Sequence, residues 1–177
     1  MVVPVFIWDP ILTRRPAQKR LQFMTAALRA LDDDLRQRGS RLVIREGAPL
    51  EQLVRLVGET GARAIFAEED FSPYARRRDG EIAARLPLQL VSGLTVQPPA
   101  LILKPDRKPY SVFTAFSKTW KAMPFPGGKN AAAPARLPAL PDLFSLPLQD
   151  GAGEPDFPAS EAEAQRRLDS FLSGPVF

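Results

Sequence analysis

The chain has 177 residues, 45% of them apolar, and a net charge of +4, which suits one ordinary domain with a core and leaves little room for two. It contains no cysteine and no histidine, which excludes disulfides, thiol nucleophiles, imidazole bases and every zinc site that needs either residue. Its 19 prolines are about twice the usual share, so part of the chain is loop.

The elements follow in chain order. Val2 to Trp8 is a short apolar, β-branched run stopped by Asp9-Pro10, the pattern of a strand buried on both faces. Leu21, Met24, Leu28, Leu31 and Leu35 recur as one stripe of a long amphipathic helix that Gly39 ends. Arg41 to Arg45 reads as a second strand, Leu50, Leu53, Val54 and Val57 as a second helix closed by Gly61, and Ala64 to Ala67 as a third strand. Short apolar strands alternating with helices predict βαβ units and a parallel sheet covered on both faces. A third helix starts at Pro73, which suits a first helical turn, and ends by Leu86. Leu88 to Val91 and Thr95-Val96 are further strand-like pieces, followed by a short apolar run and a polar turn at Lys104 to Lys108. Ser111 to Trp120 reads as a helix with Phe113, Phe116 and Trp120 on one face.

Beyond Met123 the character changes, with eight prolines between Pro124 and Pro158, the composition of a linker. A last helix is signalled by Ser160 with Glu163 three residues on, a capping box, and by Ala164, Leu168, Phe171 and Leu172 on one face before Gly174-Pro175. No run of about 18 apolar residues exists, and the N-terminus lacks the basic region and cleavage site of a signal peptide, so a cytoplasmic protein without membrane contact is expected.

Charge is uneven: residues 61–130 carry 11 basic and 6 acidic groups, and residues 131–177 carry 3 and 7. The basic middle is compatible with a polyanion and equally with a solvated arginine-rich face. Neither GxxxxGK[ST] nor a GxGxxG after a strand is present, which argues against P-loop and dinucleotide chemistry. Glu68, Glu69 and Asp70 directly follow a strand and precede a helix, where an open α/β sheet has its ligand crevice. With Asp9 they are candidates to hydrogen-bond a heterocycle or hold Mg²⁺, although carboxylates at strand ends are common. Arg76, Arg77 and Arg78 spread around the next helix and form no single patch, and at least one is expected to pair with Glu68, Glu69 or Asp70. Lys104, Arg107 and Lys108 beside Tyr110 are a candidate nucleic-acid surface with a stacking ring, or simply a soluble turn.

The segments VVPVFIWDP, GSRLVIREGAP, AIFAEEDFSPYARRRDGEI and KPYSVFTAFSKTW, in this order and spacing, resemble the N-terminal α/β domain of the DNA photolyase/cryptochrome family. Each motif alone is weak; the weight lies in their collinearity from Val2 to about Trp120. In that family the α/β domain holds a light-harvesting antenna (a folate, a deazaflavin or a flavin). A separate helical domain binds FAD and damaged DNA and carries out the electron transfer. The resemblance implies an antenna pocket from Phe6, Ile7, Trp8 and Asp9 at the strand end and from Asp70, Tyr74 and Arg78. Catalytic and metal-binding residues are not implied for this stretch. Ser72 stands where the family often has Glu, and Tyr74-Ala75 where folate-binding members carry Asn-Glu, so deazaflavin or flavin is expected over folate.

Family members begin with a strand and an arginine-rich segment ahead of the part matched here. The fold expected is therefore α/β: a doubly wound, mostly parallel, Rossmann-like sheet lacking the family's first strand, with an uncovered hydrogen-bonding edge on the strand from Val2. Residues 1–122 are the expected antenna domain, 123–159 a proline-rich linker, and 160–177 the start of a connector to a helical FAD domain. The chain is thus expected to be a fragment of a deoxyribodipyrimidine photolyase or cryptochrome-like flavoprotein, inactive alone. Its partners in a full-length parent are damaged DNA and the FAD domain. A stand-alone nucleotide- or flavin-binding α/β module is the alternative, favoured by a copurifying chromophore or nucleotide, and a remnant without its own function is the third reading.

Overall fold

The computed structural model describes residues 1–14, 17–125, 132–148 and 156–174. In chain order the elements are β1 (Val5–Trp8), α1 (Pro10–Thr13), α2 (Gln18–Gln37), β2 (Val43–Glu46), α3 (Pro49–Thr60), β3 (Ile65–Glu68), α4 (Pro73–Ala83), β4 (Leu88–Val91), a 3₁₀ turn (Pro99–Leu101), α5 (Phe113–Ala122) and α6 (Glu161–Ser173). Pro175 lies outside the described residues. Among the described residues no helix is long and apolar enough to cross a membrane. The chain divides into two compact units, Met1–Glu59 with Ala133–Phe177, and Thr60–Ala132.

The fold is α/β with parallel strands, in two pairs: β1 with β2, in register from Val5↔Val43 to Trp8↔Glu46, and β3 with β4, from Ile65↔Leu88 to Glu68↔Val91. Each pair is joined by a helical crossover, as a parallel connection requires. In the first unit the carbonyls of Pro4 and Trp8 accept from the N–H groups of Val43 and Gly47 at 2.9 and 3.0 Å. Backbone groups alternate sides along a strand, so those of Val5 and Ile7 face away from β2. Among the described residues they pair with no other strand. The opposite edge, on β2, is covered: the Ile44 N–H donates to Ser145 Oγ and the Ile44 carbonyl accepts from the Leu146 N–H, both at 2.9 Å.

That cover comes from the proline-rich stretch read as a linker. Its described residues form no helix or strand, yet Leu143 packs with Val43 and Leu56 on one face, while Leu146 and Leu148 join Trp8, Leu28, Leu42 and Ile44 on the other. Proline prevents regular structure but leaves leucines free to bury apolar area, at about 25 cal/mol per Å². The strand expected from Val2 begins only at Val5, with Val2 exposed, and β1 is half-covered except at Trp8, because pairing occupies a single edge.

Helix α2 turns its stripe differently from the reading above. Leu31, expected inward, is 46% exposed, whereas Thr25, Leu28 and Asp32 are buried. At about 100° per residue Leu31 falls roughly 90° from the centre of the face set by these three buried residues, and Asp32 falls near that centre. The buried carboxylate is satisfied: Oδ1 accepts from the Leu42 N–H and Oδ2 from Arg36 Nε, both at 2.7 Å. It fastens the helix to the residue just before β2.

In the second unit, Ser72 caps α4 by accepting from the Ala75 N–H, with Pro73 in the first turn. Ala75, Ile82 and Ile102 are buried. The strand faces stay open: Phe66 is 68% exposed and Val91 is 52% exposed. Thr95-Val96 is irregular and the apolar run that follows is the 3₁₀ turn, so neither adds a strand.

Candidate cofactor site

The expected site residues fall into two clusters, one in each unit. In the first, Phe6 and Trp8 meet edge to face at 5.1 Å and 81°, a favourable quadrupolar arrangement. Trp8 is buried and its indole N–H has no hydrogen-bond partner among the described residues, a donor left unmade at a cost. Ile7 is half-buried beside them. Asp9 is buried and caps α1: Oδ1 accepts from the Ile11 N–H at 2.9 Å. A carboxylate is well placed there, against the unpaired amides and the positive end of the helix.

The second cluster follows β3. The Asp70 carboxylate accepts from the Ser72 N–H at 2.8 Å, closing a short turn ahead of α4. That bond and the nearby Arg78 guanidinium hold Asp70 below the usual carboxylate range. Tyr74 and Arg78, one helical turn apart, stack with the guanidinium carbon 5.9 Å from the ring centroid, a cation–π geometry. The arginine expected to pair with Glu68, Glu69 or Asp70 bonds its own neighbour instead: Arg78 Nε donates to Asp79 Oδ1 at 2.7 Å, which raises the guanidinium pKa further. Asp79 is buried, and α4 points it inward as a nearer partner than any residue of the preceding loop. Its second oxygen has no hydrogen-bond partner among the described residues. Glu69 accepts from Ser92 Oγ at 3.4 Å, and a side chain at Gly93 would collide with the Glu68 carboxylate.

Among the described residues no three acidic side chains are grouped to hold a metal, so the Mg²⁺ option for Glu68, Glu69, Asp70 and Asp9 is not supported. Sequence reasoning missed Asp79, whose only signal is its inward position on α4. It also missed Arg45, a charged residue inside an apolar strand, which is buried, forms a bidentate pair with Glu59 and lies 5.5 Å from the Phe144 centroid.

The sequence profile described as DNA photolyase matches residues 1–139. A deoxyribodipyrimidine photo-lyase of Synechococcus is 29% identical over 191 residues, covering 96% of this chain and 39% of its own length. Among solved structures, a bacterial class III photolyase from Agrobacterium tumefaciens superimposes with a TM-score of 0.78 at 24% identity, over 98% of this chain and 39% of that one. An archaeal photolyase from Sulfolobus tokodaii, described with two FAD molecules and the implication of a novel light-harvesting cofactor, gives 0.77 at 23% identity, over 99% and 40%. The chain therefore spans about two fifths of the length of these relatives.

Proposed function

The chain belongs to the DNA photolyase family, and from that premise we propose that it is the antenna-holding α/β part of a photolyase- or cryptochrome-type flavoprotein. The observation that carries this is the coverage: nearly the whole chain superimposes on two fifths of a photolyase. FAD-dependent repair of damaged DNA belongs, in this reading, to a full-length parent, and the 177 residues alone repair nothing. Light-dependent splitting of pyrimidine dimers by the purified chain would overturn it.

The antenna is a flavin or deazaflavin. A second FAD in the archaeal relative supports a flavin-type ring. When bound, the group absorbs light and passes on the excitation. The protein's part is to hold and orient it, and the cluster we assign to that task is Asp70, Tyr74 and Arg78, where a guanidinium already stacks on an aromatic ring. Titrating the chain with FAD, FMN, a 5-deazaflavin and a methenyl folate, followed by flavin and folate fluorescence, tests this. Binding of a flavin or deazaflavin, weakened about tenfold or more by Tyr74→Ala and Arg78→Ala, is expected. Preference for the folate, or binding indifferent to both substitutions, refutes the assignment.

A further inference from the structure

The excess charge of the second unit is confined to one stretch. Residues 60–90 carry five basic and five acidic groups, whereas residues 91–132 carry six basic groups and one acid, Asp106. Of these six, Lys104, Arg107, Lys108, Lys118 and Lys121 are described, and none is ion-paired within the described residues. An uncompensated cationic surface of this kind attracts an anion.

A slot of about 250 Å³ lies in the same stretch, walled by Pro99, Ile102, Tyr110, Phe116 and Trp120, with Gln97 among its lining. It is smaller than the roughly 300–1,000 Å³ of drug-sized pockets and suits one planar heterocycle. The Tyr110 hydroxyl accepts from Thr119 Oγ1 at 2.9 Å, which fixes the ring against α5. Gln97 is 6% exposed and its amide nitrogen donates to the Pro124 carbonyl at 2.9 Å. That bond fixes which way the amide points. Its oxygen has no protein partner among the described residues, leaving an acceptor in a largely apolar wall.

The cationic turn is hinged on the slot. Leu103 and Pro109, both in its lining, pair as an antiparallel bridge, and Lys104 to Lys108 is the turn between them. The turn is closed by the Lys104 N–H to Lys108 carbonyl bond at 2.9 Å and the Arg107 N–H to Lys104 carbonyl bond at 2.8 Å. Asp106 accepts from the Lys108 N–H at 3.2 Å. Arg107 has φ of +62°, a left-handed conformation that glycine or asparagine adopts more cheaply.

We propose that this slot binds a nucleotide: the base inserts among Tyr110, Phe116 and Trp120, the Gln97 oxygen accepts from an N–H on the base edge, and Lys104, Arg107 and Lys108 hold the phosphate. Stacking on aromatic rings beside a cationic track is how unpaired strands are bound without sequence preference. A free nucleotide offers the same chemistry. The site is separate from the cluster assigned to the antenna.

The test is fluorescence of the full 177-residue chain, whose two tryptophans are Trp8, buried in the first unit, and Trp120 in the slot. Octathymidylate and thymidine monophosphate are titrated separately at low salt. Quenching that disappears in Trp120→Phe and weakens at least tenfold in the combined Lys104→Ala, Arg107→Ala, Lys108→Ala variant is expected. Arg107 and Lys108 are exposed and Lys104 is half-buried, and an unchanged melting curve confirms that the variant folds. Tight binding of the octamer with weak binding of the monophosphate identifies an unpaired strand as the ligand, and comparable affinities identify a free nucleotide. Absence of quenching by both, or quenching that the triple variant leaves intact, overturns the proposal.

Discussion

The two units contain the same βαβ arrangement and differ in what covers it. On β2, Val43, Ile44 and Arg45 are all buried. On β3 and β4, Phe66, Leu90 and Val91 stand exposed. The difference traces to residues 137–148, an irregular stretch that lays Leu140, Leu143, Leu146 and Leu148 on both faces of the first pair and bonds its outer edge. A parallel strand pair is thus made into a core by what is packed on it, and the covering layer requires no secondary structure of its own.

The sharpest way to break this comparison is to truncate one aliphatic side chain in each unit. Ile44→Ala is expected to cost about 2–5 kcal/mol in urea unfolding, and Leu90→Ala less than about 1 kcal/mol, because only the first leaves a cavity in packed surroundings. Equal losses would show the two pairs to be equally covered. Leu143→Ala, in the proline-rich stretch, is expected to cost about 2–4 kcal/mol. A change within about 0.5 kcal/mol would return that stretch to the role of a linker.

Amide exchange sharpens the comparison strand by strand. In β1 the N–H groups of Phe6 and Trp8 face β2 and those of Val5 and Ile7 do not; in β3, Ile65 and Ala67 face β4 and Phe66 and Glu68 do not. Alternating slow and fast exchange along both strands is expected, and uniform protection would mean that both edges are paired. The smallest effect concerns pH. Glu163 on α6 accepts from Arg166 and Arg167, which lower its pKa from the usual 4.5 to about 2. A depressed carboxylate stabilises the folded form above the ordinary pKa and loses that contribution as pH falls through the lowered one. Carboxyl NMR should therefore show Glu163 titrating near pH 2, and titration near 4.5 would mean that the pairs do not form.

Local chemistry was legible wherever its signal is short-range. Pro73 and Ser72 opening α4, the Ser160–Glu163 cap, and Gly39 and Gly61 at positive φ after α2 and α3 follow from conformational preferences of single residues. The strand–helix alternation gave the α/β class for the same reason, since periodicity reports a buried face. It failed at Asp32, where a carboxylate takes the centre of that face because a backbone N–H ten residues away satisfies it. It was silent about Leu143 and Leu146, whose burial has no period. At the candidate site, spacing made the Tyr74–Arg78 contact foreseeable, whereas Asp79 displaced the expected acidic partners through side-chain direction, which composition does not encode.

The Ile44–Ser145 bond spans 101 residues of sequence. At roughly 5–20 residues per second on the ribosome, β2 waits about 5–20 s for the segment that completes it. All of residues 60–132 are made during that interval. Of the two units, the one whose strands are made first is therefore completed second, and in the interval β2 is an incomplete strand that a holding chaperone would shield.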